Sequence, residues 1–172
     1  MKRREILAAA LFVPLEGLAQ TCGVITPRQT EGPFFTPNSP QRVSLLEGKE
    51  KTRFFLTGTV LTAQCKPVPN ALLDFWHADE RGEYDNRGFR YRGHQHADAQ
   101  GRFRLETVLP AEYPGRARHF HVKVQAPGGR ILTTQLYFPG DSSNARDFLY
   151  RPELTMKAPK RGEGSFDFVV ET

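Results

Sequence analysis

Apolar and polar positions alternate along several short stretches of the chain, and clusters of turn-forming residues separate these stretches. Phe103, Leu105, Thr107 and Leu109 alternate with Arg102, Arg104, Glu106 and Val108. A period of two puts each set on its own face of a strand. The same pattern predicts strands at residues 54–61 (FFLTGTVL), 71–78 (ALLDFWHA), 101–109 (GRFRLETVL), 119–126 (HFHVKVQA), 131–138 (ILTTQLYF) and 165–171 (SFDFVVE). Turn signals KPVPN, DNRG, DAQG and APGG stand between them. No internal repeat or heptad pattern is visible. Six strands with short polar connectors predict an all-β fold, an antiparallel β-sandwich over residues 53–172. Residues 20–52, rich in Pro, Thr and Gly, predict an extended N-terminal arm in front of it.

The stretch GRARHFHVKV places His119 and His121 two residues apart, so both point to one face with Lys123 and Gln125. Phe120, Val122, Val124 and Ala126 point to the other face, towards a core. If Pro127, Gly128 and Gly129 form a three-residue loop, a hairpin follows with Phe120 facing Leu136, Val122 facing Thr134 and Val124 facing Leu132. Gln135 then lies opposite His121. A slip of one residue would turn Gln135 into the core, so the apolar pattern supports this register.

At 172 residues the chain suits one domain, and its 13 Phe compensate for a hydrophobic content of 38%. Residues 1–19 read as an export signal: Lys2, Arg3 and Arg4 precede a short apolar run, and GLA offers small residues for cleavage at Ala19. The Arg3–Arg4 pair suggests the twin-arginine route and a periplasmic or secreted protein. Pro14 and Glu16 interrupt the run, which is too short to span a bilayer, so no stable membrane anchor is expected. The other reading of this stretch is an amphipathic N-terminal helix. The formal charge of +5 is spread along the chain without a dense Lys/Arg block or a nucleic-acid motif, which argues against a nucleic-acid partner. Cys22 and Cys65 are compatible with one disulfide between arm and body.

His-x-His on a strand offers two neutral imidazoles to a metal. It competes with two partly exposed strand histidines. A second pair, His94 and His96 in GHQHAD, has the same spacing but falls in a Gly- and Asp-containing turn region. His77, after Trp76, reads equally well as a surface residue. Tyr84 lies in the loop RGEYDNRG, and Tyr113 lies six residues before His119. Loop tyrosines are ordinarily packing residues, but two of them beside a histidine pair form a set that suits a hard trivalent metal. A phenol with a pKa of about 10 becomes tyrosinate at neutral pH only with a strong Lewis acid, which favours Fe(III) over Zn(II) or Cu(I).

The segments FWHADERGEY, LPAEYPGRARHFHVKV and LTTQLYFPGD, with the arm segment QTEGPFFTP, resemble the intradiol ring-cleavage dioxygenases over about residues 27–150. Carried over onto matching positions, the resemblance implies a non-haem Fe(III) held by Tyr84, Tyr113, His119 and His121. It implies that Arg116 is the active-site arginine, acting with Tyr113 in catalysis, and that Arg116 and Gln135 contact substrate. Arg118 stands where relatives often have a smaller residue. The resemblance leaves GHQH in a turn. This sequence lacks the helical dimerisation region of catechol-type members, which implies a compact protocatechuate-type core. The implied partners are a catechol-type small molecule and O2, and the implied reaction is cleavage of an aromatic 1,2-diol to a muconate-type diacid. A homo-oligomer is compatible with this, including one in which a neighbour's TEGPFF arm completes the site.

Two other readings stand beside it. GTVLTAQCKPVPNALLDFW also resembles secreted transthyretin-like sandwich modules, which implies a non-catalytic binding protein. A copper or zinc site at His77, His94 and His96 is the third.

Overall fold

The computed structural model describes residues 23–158 and 160–172, so the stretch read as an export signal and Cys22 lie outside the described residues. Eight strands form, β1 (Phe54–Thr62), β2 (Leu72–Trp76), β3 (Arg92–His96), β4 (Arg102–Thr107), β5 (His119–Gln125), β6 (Ile131–Tyr137), β7 (Glu163–Ser165) and β8 (Phe168–Val170). They make two four-stranded sheets. One runs β4-β1-β7, with β8 also paired to β1, and the other runs β3-β2-β5-β6.

Alternation decides what fills the space between the sheets. Phe54, Leu56 and Val60 of β1 and Phe103 and Leu105 of β4 face Leu73 and Phe75 of β2 and Phe120, Val122 and Val124 of β5. Phenylalanine rings close the gap, Phe54 on Phe120 at 5.6 Å and Phe75 on Phe103 at 5.8 Å between centroids. Each such ring withdraws a large apolar area from water, a gain of about 1.5–3 kcal/mol. That is how a chain of modest hydrophobic content sustains a core.

The β5–β6 hairpin has the predicted register, with Phe120 opposite Leu136, His121 opposite Gln135 and Gln125 opposite Ile131. The loop closes by Gly129 N–H donating to the Ala126 carbonyl at 2.8 Å.

Three features differ from the sequence reading. GHQH is not a turn: it belongs to β3, with His94 opposite Asp74 and His96 opposite Leu72. Polar residues on both of its faces (Arg92, His94 and His96 on one, Gln95 on the other) hid its period of two. The expected strand at 165–171 is two strands, both parallel to β1 rather than antiparallel. It breaks at Phe166–Asp167, where the Asp167 carboxylate, in place of a strand carbonyl, accepts the Thr59 N–H at 2.8 Å. His77 is not at the surface but 1% exposed, with Nδ1 on the Ala78 carbonyl and Nε2 on Thr107 Oγ1, both at 2.7 Å.

The arm is extended, as expected, and runs over both sheets. Arg42 N–H donates to the His94 carbonyl at the β3 edge, and Leu45 N–H donates to the Glu106 carbonyl at the β4 edge, so the arm covers two strands that would otherwise be open. Further upstream it runs along the free edge of β6, where Gln29 N–H donates to the Thr133 carbonyl at 2.9 Å. Cys65 is disulfide-bonded.

Candidate metal centre

The outer face of the second sheet carries Trp76 on β2, His119 and His121 on β5, and Gln135 and Tyr137 on β6, all buried. Strand pairing sets Trp76 against His121, and the two rings stack at 4.8 Å and 11°. The arm closes this face from above. Gln135 Nε2 donates to the Thr30 carbonyl at 3.0 Å, and Lys123 pairs with Glu31 at 2.5 Å while lying 3.4 Å from the Phe35 ring centre. At Gly32 an added Cβ would lie 3.5 Å from His121 Cε1 on a backbone with φ of +70°, so glycine lets the arm pass close over the imidazole. This arm belongs to the same chain as the histidines.

Two aspartates build the loop that presents Tyr84. Asp79 Oδ1 accepts the N–H groups of Arg81 and Glu83, and Asp85 accepts those of Arg87, Gly88 and Arg90. Aspartate is suited to both places because its short carboxylate folds the backbone back on itself. Arg92 ties this loop to the arm by donating to the Asp85 carbonyl through Nε and Nη2 and to the Phe34 carbonyl through Nη1. The Tyr84 ring then stacks on Phe34 at 4.3 Å and meets the Tyr113 ring edge-on at 5.7 Å. Phe34 also meets Tyr113 at 5.3 Å.

Three donor atoms converge. Tyr84 Oη lies 3.2 Å from His119 Nε2, and His119 Nε2 lies 3.0 Å from His121 Nε2. His119 Nδ1 donates to the Ala117 carbonyl at 2.6 Å, which leaves Nε2 as the lone pair facing the cluster. His121 Nδ1 is buried without a hydrogen-bond partner. A proton on His121 Nδ1 therefore leaves two lone pairs facing each other, and a proton on Nε2 leaves Nδ1 unpaired. A cation among the three atoms binds the two facing lone pairs and removes their repulsion, with the His121 proton on Nδ1. Two ligands about 2.1 Å from one ion and at right angles to each other stand about 3.0 Å apart, which matches the observed pair.

The electrostatics suit such an ion. Burial pulls the His119 imidazole down to about 4 and holds His121 well below its usual value, so both rings are neutral at neutral pH and able to ligate. Burial pushes the Tyr84 phenol up, while the Arg116 charge works in the opposite direction. Without a cation the phenol stays protonated. Among the described residues no three His, Cys, Asp or Glu side chains gather to hold a metal, so a centre here must recruit tyrosine.

Tyr113 is half-buried and joins through its ring, and its hydroxyl makes no hydrogen bond among the described residues. Arg116 is held by Asp147 and Gln135, and its charge acts on Tyr84, His119 and His121. Gln135 is 0% exposed and links Arg116 to the arm. Arg118 turns towards Asp141 at 3.6 Å. The third reading fails on geometry: both His77 nitrogens are engaged in the core, away from a His94 whose Nδ1 meets the Ser39 carbonyl at 2.7 Å. Sequence reasoning missed Asp147, Tyr137 and the Phe34 platform. Only the alternation of β6, which puts Tyr137 on the Gln135 face, gave a signal for any of them.

Fold and cluster together define a β-sandwich with a phenol–imidazole donor set beneath its own N-terminal arm. The Dioxygenase family profile matches residues 30–170, so the chain belongs to the intradiol ring-cleavage dioxygenase family. The match begins inside the arm, at the segment that covers His121. Catechol 1,2-dioxygenase of Acinetobacter baylyi is 32% identical over 155 residues, 73% of this chain and 50% of that protein. Hydroxyquinol 1,2-dioxygenase of Corynebacterium glutamicum is 30% identical over 135 residues, 64% of this chain and 45% of that protein. The chain thus spans about half the length of these curated relatives. A solved dioxygenase domain from a dioxygenase carbohydrate-binding protein fusion of Streptomyces sp. SirexAA-E superposes with a TM-score of 0.84 at 49% identity, covering 87% of this chain and 99% of that one.

Proposed function

We propose that the chain is an exported non-haem Fe(III) intradiol dioxygenase that cleaves a catechol-type 1,2-diol with O2, both oxygen atoms entering a muconate-type diacid. The observation that carries this reading is the placement of His119 Nε2 between Tyr84 Oη at 3.2 Å and His121 Nε2 at 3.0 Å. Tyr84, Tyr113, His119 and His121 would hold the iron. When bound, ferric iron supplies a strong Lewis acid that stabilises phenolates and draws electron density from a chelated diol.

The chain's own groups do the rest. Tyr113, half-buried and with no hydrogen bond to its hydroxyl among the described residues, would as tyrosinate accept a proton from the entering diol. Arg116 offers a fixed positive charge to the substrate oxygens and the ring, and Gln135 lines the same wall. The arm and the Phe34–Tyr84–Tyr113 rings exclude water from the cluster. Arm, loops and sheet of one chain complete the cluster, so a homo-oligomer is compatible with this reading but not required by it. A disulfide at Cys65 supports an oxidising compartment and hence export of the arm and catalytic domain after removal of residues 1–19.

The test is the visible spectrum and metal content of the purified protein lacking residues 1–19, with and without catechol. About one iron per chain, a tyrosinate-to-iron band that shifts on adding catechol, and O2 uptake with formation of a diacid are expected. A protein that stays colourless after reconstitution with iron overturns the reading.

A further inference from the structure

Arg116 is gripped on two of its three guanidinium nitrogens. Nε donates to Oδ1 and Oδ2 of Asp147, each at 2.9 Å, and Nη2 donates to Gln135 Oε1 at 2.6 Å and to Tyr137 Oη at 3.3 Å. Nη1 makes no hydrogen bond among the described residues. The Asp147 side chain is 0% exposed and that of Arg116 13%. Asp147 also accepts the Ala117 N–H on Oδ2 and the Leu149 N–H on Oδ1, both at 2.9 Å. A carboxylate buried with this many charge-assisted or backbone bonds is fixed in place, and a planar guanidinium bonded along its Nε edge is fixed with it. Gln135 and Tyr137 set the second direction. What remains is one open nitrogen on a rigid cation, close enough to Tyr84, His119 and His121 for its charge to act on all three.

We propose that Asp147 is the positioning residue of the site: it anchors Arg116 through Nε so that the two Nη1 N–H groups are presented to an oxyanion of the bound diol. This rests on the function proposed above. Asp147 contacts no reacting atom itself. It lies 31 residues from Arg116, just after a single turn of 3-10 helix (Asn144–Arg146), and nothing in strand alternation marks it.

Asp147 also joins two loops, so the test must separate positioning from folding. Asp147→Asn keeps the shape and removes the charge and one acceptor. In the iron-loaded full chain kcat falls about 10- to 100-fold, a fraction of what a lost transition-state donor costs. On an Arg116→Ala background the same change alters kcat less than about twofold, because the group it positions is gone. An equal loss on both backgrounds makes Asp147 a folding residue and overturns the proposal. Arg116→Lys leaves Asp147 untouched. Its single ammonium is expected to bond to the carboxylate and lose as much rate as Arg116→Ala, whereas near-wild-type turnover shows that charge alone suffices and overturns the proposal. A further arm needs no turnover. With gallium(III) in place of iron, the Arg116 Nε–H signal is protected from solvent exchange in the wild type and unprotected in Asp147→Ala, which leaves no acceptor, and persistent protection in that variant overturns the proposal. Wild-type protein that cleaves no diol refutes the proposed function and leaves this last arm standing.

Discussion

The Nε2 atoms of His119 and His121 face each other at 3.0 Å, and Tyr84 Oη approaches the first of them at 3.2 Å. Neighbouring strand residues on one face diverge unless something draws them together. Here the Nδ1 bond of His119 to Ala117 and the stacking of His121 on Trp76 fix the two rings independently. The protein's own contacts organise the three atoms.

Tyr84→Phe removes a single hydroxyl from this set. Its hydrogen bond to His119 is worth about 1 kcal/mol, so the fold survives the change. The expected outcome is loss of the tyrosinate band and of most of the bound iron, with an unfolding midpoint close to wild type. Tyr113→Phe removes a hydroxyl that makes no hydrogen bond among the described residues, and is expected to keep most of the iron and lose rate. Full colour and full activity in both variants contradict the ligand assignment.

The buried histidines also set a pH dependence. His77 and His119 are held down to about 4 and His121 is lowered as well, in each case chiefly by burial. Folded, these rings bind fewer protons than unfolded between about pH 4 and 6.5, so stability rises with pH across that window and falls as it is acidified. A shift from 6.5 to about 4 corresponds to roughly 3 kcal/mol per ring, lost in full only when the pH falls below about 4. Urea unfolding of the metal-free protein from pH 7.5 to 5 is expected to show a falling midpoint, and His119→Gln with His121→Gln should flatten it in part, with His77 supplying the remainder. A level profile would show that these rings are not neutral in the fold.

The sandwich, the hairpin register and the shared face of His119, His121 and Gln135 were legible because they follow from a period of two with one apolar face. The edge strand β3 was not, because polar residues stand on both of its faces, His94 against Ser39 of the arm and Gln95 on the other, and left no contrast to read. Tyr84 and Tyr113 were singled out by their loops beside the histidine pair and made ligands by resemblance, while Arg116 came from resemblance alone. Their loops are shaped by Asp79, Asp85 and Asp147, whose partners are backbone groups or a distant side chain, and local sequence does not name those.

His94 and His96 repeat the spacing of the cluster without its convergence, since their ring centres stand 6.2 Å apart and His94 Nδ1 is held by Ser39. Replacing both by Gln is expected to leave metal content unchanged, whereas His121→Gln lowers it by tenfold or more in affinity. Equal losses of iron from the two variants would move the centre to β3.

Gly82 and Gly115 provide a matched pair for testing how the tyrosine loops are held. Both have left-handed backbones, with φ of +86° and +79°. An added Cβ at Gly115 meets nothing within 4 Å, while at Gly82 it would lie 2.2 Å from the carbonyl oxygen of Glu112. Gly115→Ala therefore carries only the left-handed cost of about 1–2 kcal/mol. Gly82→Ala carries the same strain plus a collision between the loop of Tyr84 and the loop of Tyr113, which must separate. The expected result is a lower unfolding midpoint for Gly82→Ala than for Gly115→Ala, with a loss of iron affinity confined to Gly82→Ala. If the two variants lose stability equally and both bind iron as the wild type does, backbone contact between these loops does not position the tyrosines.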